Sequence, residues 1–580
     1  MKRKIISTLL AMSMVLGMAA CGNSDEPAGN SAGGSTSEEQ SEESTTDDGG
    51  AADDGAEDEG GEESQPADDG GSTGGSGSAQ IGGFEDVITI TADSDGDPFS
   101  WDPSTDKMAA FIEENFGIAF QQSETNYYNN EFAVLQLAAT DGNLPKVFAA
   151  DILYYPPIIT QFIPEELVAE IPESLLEKYP LTKALLENDA VAQTVHQMYD
   201  GYYFLPKPDS ADPNIYKAER KGIFIRTDWL DNLGLEIPKT WEDFYNVAHA
   251  FTYDDPDGNG VNDTFGLTGD GMGTLRYFFS STGVSNLYWN RDADGNWFFG
   301  PMDDSNIEIL EWLRKMYEDG SIDPDFGGIK WEDGLKTFSS NAAGMCLRNA
   351  DADWINGVAV KYYGAANPGI NPFDRLGMIP ALALKEGDTP RMEGYVSCMV
   401  ATMFSEDITE EEMDRFLNYY EYLLSDEGKY MRMGFEGEDW ERDASGNITL
   451  IRDENGNSTA MSVKYPCSTV THWPSWGFEL AAYENVEYFD EYNAETKALN
   501  AEACAIRNQD PVWPEIGPKL IDDTVVTDAT SFAFSAEYWQ IISGTEPVAD
   551  MFADMKERAI ASGYNDAVEV VTEYAEQYGW

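Results

Sequence analysis

The stretch Asp255-Pro256-Asp257-Gly258-Asn259-Gly260-Val261-Asn262-Asp263 puts side-chain oxygens at its first, third, fifth and ninth positions, a glycine at its sixth and the Val261 carbonyl at its seventh. A hard cation takes about six to eight oxygens, and alternate positions of a tight turn converge on one centre, so this is the register of the front of an EF-hand-type loop. The twelfth position is Gly266, so the bidentate glutamate that closes such a loop is missing, and Thr264 at the tenth is a weak substitute for an acid. Asp, Asn and Gly also build plain solvated turns. Four oxygens in this register exceed what a turn requires, and the expected ligands of a structural Ca2+ are Asp255, Asp257, Asn259, Val261 and Asp263. The tracts Asp292–Asn296, Asp443–Asn447 and Asp453–Asn457 lie between strand-like runs and read as hairpin turns instead. For covalent chemistry the chain offers little. Between Phe84 and Trp580 there is no G-x-S-x-G, and nowhere a G-x-x-x-x-G-K-[ST], H-E-x-x-H or C-x-x-C. With 106 acidic residues, carboxylate pairs at glycosidase spacing are unavoidable and carry no weight. No catalytic residue is assigned.

The elements that must position these groups alternate between helical and strand patterns. Val87–Thr91 is strand-like, Lys107–Phe116 and Phe132–Thr140 look helical, and Gly222–Arg226 reads as a buried strand. Thr240 with Asp243, and Thr409 with Glu412, are capping-box starts; after the second, Met413, Phe416, Leu417, Tyr420 and Leu424 follow helical spacing. Mixed elements over this length indicate an α/β protein of more than one lobe. Trp241, Trp312 and Trp331 lie in helical patterns and are assigned to packing. Cys346, Cys398, Cys467 and Cys504 show no pairing spacing and read as buried free thiols.

The N-terminus is an address. Lys2, Arg3 and Lys4 precede the apolar run Ile5–Leu16, and Met18-Ala19-Ala20 leads to Cys21, so residues 1–20 read as a secretory signal peptide. LGMAAC resembles the bacterial lipobox, in which the cysteine after cleavage carries diacylglycerol; Cys21 is the expected lipidation site, and two acyl chains hold stably to a membrane. Residues 21–83 then form an acidic tract, with 17 Asp and Glu between Gly22 and Gly82 and no Lys or Arg. Such a composition does not offset its ordering entropy, and a disordered linker is expected. The body is 84–580. Among 580 residues, 35 Lys and Arg stand against 106 Asp and Glu, a net charge of −71, which argues against a nucleic-acid partner because neutralising phosphates takes basic residues. Three widely spaced histidines make a His-rich zinc site unattractive.

The segment Gly222–Gly269, GIFIRTDWLDNLGLEIPKTWEDFYNVAHAFTYDDPDGNGVNDTFGLTG, resembles the corresponding stretch of the large extracellular solute-binding lipoproteins that serve ABC importers for oligosaccharides in Gram-positive bacteria, with the alginate-binding proteins as relatives. LQLAATDGNLPKVF, YEDGSIDPDF, FSSNAAGMCLRNADADW, EGYVSCMVATMFSEDITEEEMDRFLNYYEYLLSDEG and the C-terminal IISGTEPVADMFADMKERAIASGYNDAVEVVTEYAEQY follow in the family's order, with Lys146 where Asp is usual. The resemblance implies a two-lobed, periplasmic-binding-protein-like (type II) α/β fold with a hinge, one lobe at about 84–210 and 395–450 and the other at about 211–394 and 451–580. It implies a monomeric, non-enzymatic receptor, lipid-anchored on the extracellular face of a Gram-positive cell membrane, which passes an oligosaccharide to permease subunits. A sugar needs flat aromatic platforms and a rim of hydrogen-bonding groups, and cleft residues of open α/β sheets sit at the carboxyl ends of strands. By that rule the expected ligand-binding residues are Asp97, Trp101 and Asp102; Tyr154 and Tyr155; Asp351, Asp353 and Trp354; Tyr395 on a crossing segment; and His472, Trp473 and Trp476. A peptide or amino-acid binder on the same scaffold and an anchored glycoside hydrolase are the alternative readings.

Overall fold

In the computed structural model the described residues are 78–94, 98–123, 131–207, 217–396, 400–453, 458–474 and 486–580. Cys21 and Cys398 lie outside them, as do the signal peptide and almost all of the acidic tract. Two sheets organise the body. In the first, β1 (Ile88–Asp93), β2 (Ile118–Gln122), β3 (Val147–Asp151) and β4 (Phe204–Pro206) join the later β11 (Val400–Phe404) in the order β2-β1-β3-β11-β4. β1 is parallel to both β2 and β3, whereas β11 runs antiparallel to β3 and β4. In the second, β5 (Lys221–Arg226), β6 (Phe265–Gly269), β9 (Ala343–Asn349) and β10 (Leu376–Ile379) lie in the order β10-β5-β9-β6. The unbroken apolar run of β5 has a physical cause: Ile223 and Ile225 enter one core while Phe224 enters another on the opposite face.

Helix positions follow their sequence signals. α1 (Lys107–Phe116) is capped by Asp106, whose carboxylate accepts from the Met108 and Ala109 amides. α2 (Trp241–Tyr253) and α4 (Glu410–Leu424) both begin with the expected capping boxes, Thr240/Asp243 and Thr409/Glu412. Between them in sequence, the short α3 (Ala352–Gly357) is capped by Asp351. On α4, Met413, Phe416, Leu417 and Tyr420 are buried, and Leu424 is half-buried. Lys146 ion-pairs with Glu412, the acid that closes the capping box of α4. α5 (Asn493–Arg507) and three further helices, Phe534–Ser543, Val548–Ala561 and Tyr564–Tyr578, complete the second lobe. The tract Asp292–Asn296 turns between β7 (Trp289–Arg291) and β8 (Trp297–Phe299), and Asp443–Asn447 between β12 (Trp440–Arg442) and β13 (Ile448–Leu450), each with the acidic residue accepting from the loop's own amides. The third tract falls largely at 454–457, outside the described residues. β14 (Val486–Glu487) adds to β13. Cys346, Cys467 and Cys504 are buried free thiols.

Two details concern the joints. Tyr465, Cys467, Val470 and Trp473 pack into the first core, with Phe416 and Tyr419, although 451–580 was expected to accompany the second lobe; their large apolar side chains complete the face of α4. Three chain segments passing between the lobes pair into a narrow ribbon. Glu219 N donates to Glu393 O at 2.8 Å, Tyr395 N to Lys217 O at 3.0 Å and Gly394 N to Val512 O at 2.7 Å. Gly394 lies against Trp513, and a Cβ there would meet the ring at 2.8 Å. Upstream, the Asn418 side chain on α4 accepts from Gln80 N at 2.7 Å and donates to Gln80 O at 2.9 Å, pinning the start of the body to the first lobe.

Candidate functional site

Antiparallel pairing of β5 with β9 sets Lys221 opposite Asn349, so the start of one central strand and the end of the other finish at one end of the second sheet. Lys221 Nζ donates to Asn349 Oδ1 at 2.6 Å and stands 5.2 Å from the Tyr277 ring centre. Burial lowers the Lys221 ammonium pKa. Beside it, Arg220 pairs with Asp351 at 3.3 Å and lies 5.4 Å from the Tyr395 ring. Arg348 pairs with Asp270 at 2.9 Å while its guanidinium sits 3.9 Å from the Trp354 ring and 4.3 Å from the Trp331 ring. These three cations, all held by neighbours, form a floor of alternating charges and aromatic faces.

From the first lobe, the turn after β3 supplies Tyr154 and Tyr155. Tyr154 is 72% exposed, the most open aromatic side chain among the described residues, while Tyr155 is half-buried against the first core. Crowding around the Tyr154 hydroxyl, then the carboxylates of Asp151 and Glu219, raise its phenol pKa. Tyr277 feels Glu219, Tyr154 and Glu393, after burial as the main cause of its upward shift. Tyr154 of one lobe and Glu219, Tyr277 and Lys221 of the other therefore share one electrostatic neighbourhood. The turn Asp351–Trp354 extends it. Asp353 lines a cavity of about 630 Å³ whose walls include Asn356 and Lys361 on that side and Met461, Lys464 and Arg452 on the other. Burial, then Asp351, raises the Asp353 carboxyl pKa.

Other expected residues are placed differently. Trp101 is half-buried; its Nε1 donates to Glu113 Oε1 at 2.8 Å and its ring meets Phe120 edge-on. Asp102 is exposed and accepts from Ser104 and Thr105, closing its own turn. Trp473 is 2% exposed and packs edge-on against Phe416, so it is a core residue rather than an open platform; the apolar face of α4 claims it. Burial, then Lys207 and Arg432, pull the His472 imidazole down to about 3. Tyr395 does lie on the crossing ribbon but is 6% exposed. Asp351 is 3% exposed and is committed to the α3 cap and to Arg220. Asp97 and Trp476 fall outside the described residues. Arg220, Lys221, Tyr277 and Arg348 were not among the expected residues, and Trp331, assigned to packing, does pack against the core of the second lobe. The cation–aromatic clustering depends on strand register, which no local spacing reveals.

The acidic loop folds on itself. Asn259 Nδ2 donates to Asp257 Oδ2 at 2.9 Å and to Asp263 Oδ1 at 3.2 Å, Gly260 N to Asp255 Oδ2 at 3.0 Å, and Val261 N to Asn259 Oδ1 at 2.7 Å. Asp255 Oδ1 is buried without a hydrogen-bond partner. Among the described residues no group of three or more His, Cys, Asp or Glu side chains converges as a metal site. Thr264, at the tenth position, turns inward and donates to Phe251 O at 2.8 Å.

The family of bacterial extracellular solute-binding proteins matches residues 101–396. The polygalacturonan/rhamnogalacturonan-binding protein YtcQ of Bacillus subtilis (strain 168) is 34% identical over 133 residues, 22% of this chain and 26% of that protein. Lipoprotein LipO of the same organism is 36% identical over 126 residues, 20% of this chain and 24% of that protein. The chain thus spans about a quarter of the length of these curated relatives. Among solved structures, an EF-hand mutant of the Streptococcus pneumoniae ABC-transporter substrate-binding protein FusA in complex with fructo-nystose superposes with a TM-score of 0.56 at 17% identity, over 85% of this chain and 99% of that one. At that identity the likeness shows the fold, two lobes of the periplasmic-binding-protein type.

Proposed function

We propose, from the premise that the chain belongs to the bacterial extracellular solute-binding protein family, that it captures an oligosaccharide between its lobes and delivers it to an ABC permease from a lipid anchor at Cys21. It is a binding protein rather than an enzyme. The observation that carries the ligand reading is the floor in which Lys221 lies against Tyr277 and Arg348 against Trp331 and Trp354, in one electrostatic neighbourhood with the exposed ring of Tyr154. Rings offer stacking surface to apolar sugar faces, and fixed Arg–Asp and Lys–Asn pairs offer donors and acceptors that need no reorganisation. A ligand touching both lobes shifts the open–closed equilibrium by its differential affinity for the closed state. The lobes divide at the ribbon of 217–219, 393–395 and 512. The names of YtcQ and FusA point to pectic and fructose-based glycans. Calorimetry of the protein with trigalacturonate and with fructo-nystose tests the reading: saturable binding of either without product release is expected, and turnover, or preference for a peptide, overturns it.

Asp255, Asp257, Asn259, the Val261 carbonyl and Asp263 would hold a structural Ca2+. The unpartnered buried Asp255 Oδ1 and the shared orientation of Asp257 and Asp263 toward Asn259 support that reading, as does the EF-hand named for FusA. The membrane attachment follows from the lipobox-like approach to Cys21. Mass spectrometry of the mature chain tests it: a diacylglyceryl cysteine at the N-terminus is expected, and an unmodified one removes the anchor.

A further inference from the structure

We infer that Arg507, a residue remote in sequence from the site, is the positioning residue that fixes the floor on which the ligand is proposed to sit; the inference rests on that reading of the floor. Arg507 closes α5 and is 1% exposed. Its guanidinium donates to Lys221 O at 3.2 Å and to Ala350 O at 3.1 Å. These carbonyls belong to the first residue of β5 and the first residue after β9. One planar group therefore bridges the two backbone ends that carry Arg220 and Lys221 on one side and Asn349, Asp351 and Trp354 on the other.

The two strand ends lie close together at this joint. Ala350 N donates to Arg220 O at 2.6 Å. Gly222 lets the strands approach closely, since a Cβ there would come within 2.6 Å of Ala350 Cβ. The ladder already sets Lys221 opposite Asn349, and the fork of Arg507 adds a fixed bridge between the carbonyls of the two ends. A guanidinium holds two acceptors in a fixed plane, whereas an ammonium is a point donor on a flexible stem. The next residue, Asn508, accepts from Lys217 N at 3.0 Å and Ala218 N at 3.2 Å, so the same helix end also holds the ribbon between the lobes. A shift of the two strand ends would move the Arg220–Asp351 and Lys221–Asn349 pairs together, and misplacement on the ångström scale is costly at a preorganised site.

The test compares R507Q and R507K with R314Q in the full chain. Arg314 is likewise buried and donates to the carbonyls of Ile541, Ile542 and Glu546, but far from the floor in sequence and contacts. With whichever of trigalacturonate and fructo-nystose binds the wild type, R507Q is expected to raise Kd about tenfold or more and R507K to recover part of the loss, while R314Q leaves Kd within about twofold despite a comparable fall in Tm. Hydrogen exchange without ligand is expected to show the Ala350 amide losing protection in both Arg507 variants but not in R314Q. Kd within about twofold of wild type in the folded Arg507 variants, equal weakening by R314Q, or unchanged protection at Ala350 would each overturn the assignment. If R507Q does not fold, R507K supplies both readings. If neither glycan binds the wild type, the ligand reading fails by itself and exchange at Ala350 decides the role of Arg507.

Discussion

Replacing Glu393 by Gln should change how stability depends on pH. Glu393 sits on the crossing ribbon with no exposed surface, and Ser280 Oγ donates to its Oε2 at 3.0 Å. Burial pushes its carboxyl up to about 8, against the opposing pull of Ser285 and Ser280. An ordinary glutamate loses its proton near pH 4.3, so between that point and about 8 the native state holds a proton that the unfolded chain has released. Where the native state binds more protons, stability falls as pH rises. The contribution of Glu393 is therefore fully present below the unfolded value and is lost through the window up to about 8. At about 1.4 kcal/mol per pH unit, a window of roughly three to four units gives a ceiling on the order of 5 kcal/mol. Glutamine keeps an acceptor for Ser280 and has no proton to lose. Urea melts of wild type and E393Q at a series of pH values should give a stability difference that grows in favour of the variant up to about pH 8 and then levels. A difference that stays constant across the series would refute the reasoning.

Four other expectations follow from the placements. Tyr154→Ala should weaken glycan binding by about 0.5–1.5 kcal/mol in calorimetry, with little change in Tm, because the ring is open. Trp473→Ala should instead cost about 3–5 kcal/mol in denaturant melts, by opening a cavity beside Phe416. Gly394→Val should place a branched side chain into Trp513 and lower Tm, with an unchanged Tm showing that the ribbon yields there. EDTA should lower Tm and added calcium restore it, with Asp257→Ala abolishing the response; indifference to chelation would remove the metal from the loop.

Much of the scaffold was legible because it is locally encoded. The Thr240 and Thr409 boxes, the spacing of Met413 to Tyr420 and the apolar run of β5 each state their structure within a few residues. The site was only partly legible, for a physical reason. Tyr154 and Trp354 could be chosen because they follow strands, but Arg220, Lys221, Arg348, Tyr277 and Trp331 meet only through the β5–β9 register and the fold of the second lobe. Trp473 misled because a proline-flanked aromatic loop looks open until α4 is seen to offer an apolar face for it. Arg507 gave no signal at all, since a buried arginine that serves carbonyl groups has no partner residue type to search for.

The grip of Asn418 on Gln80 has a mechanical consequence. By taking both the amide and the carbonyl of one residue, it transfers any pull arriving along the upstream chain to α4. If that chain is moored to a surface, the first lobe becomes the stator of the machine. The other lobe is then the one left to move against it.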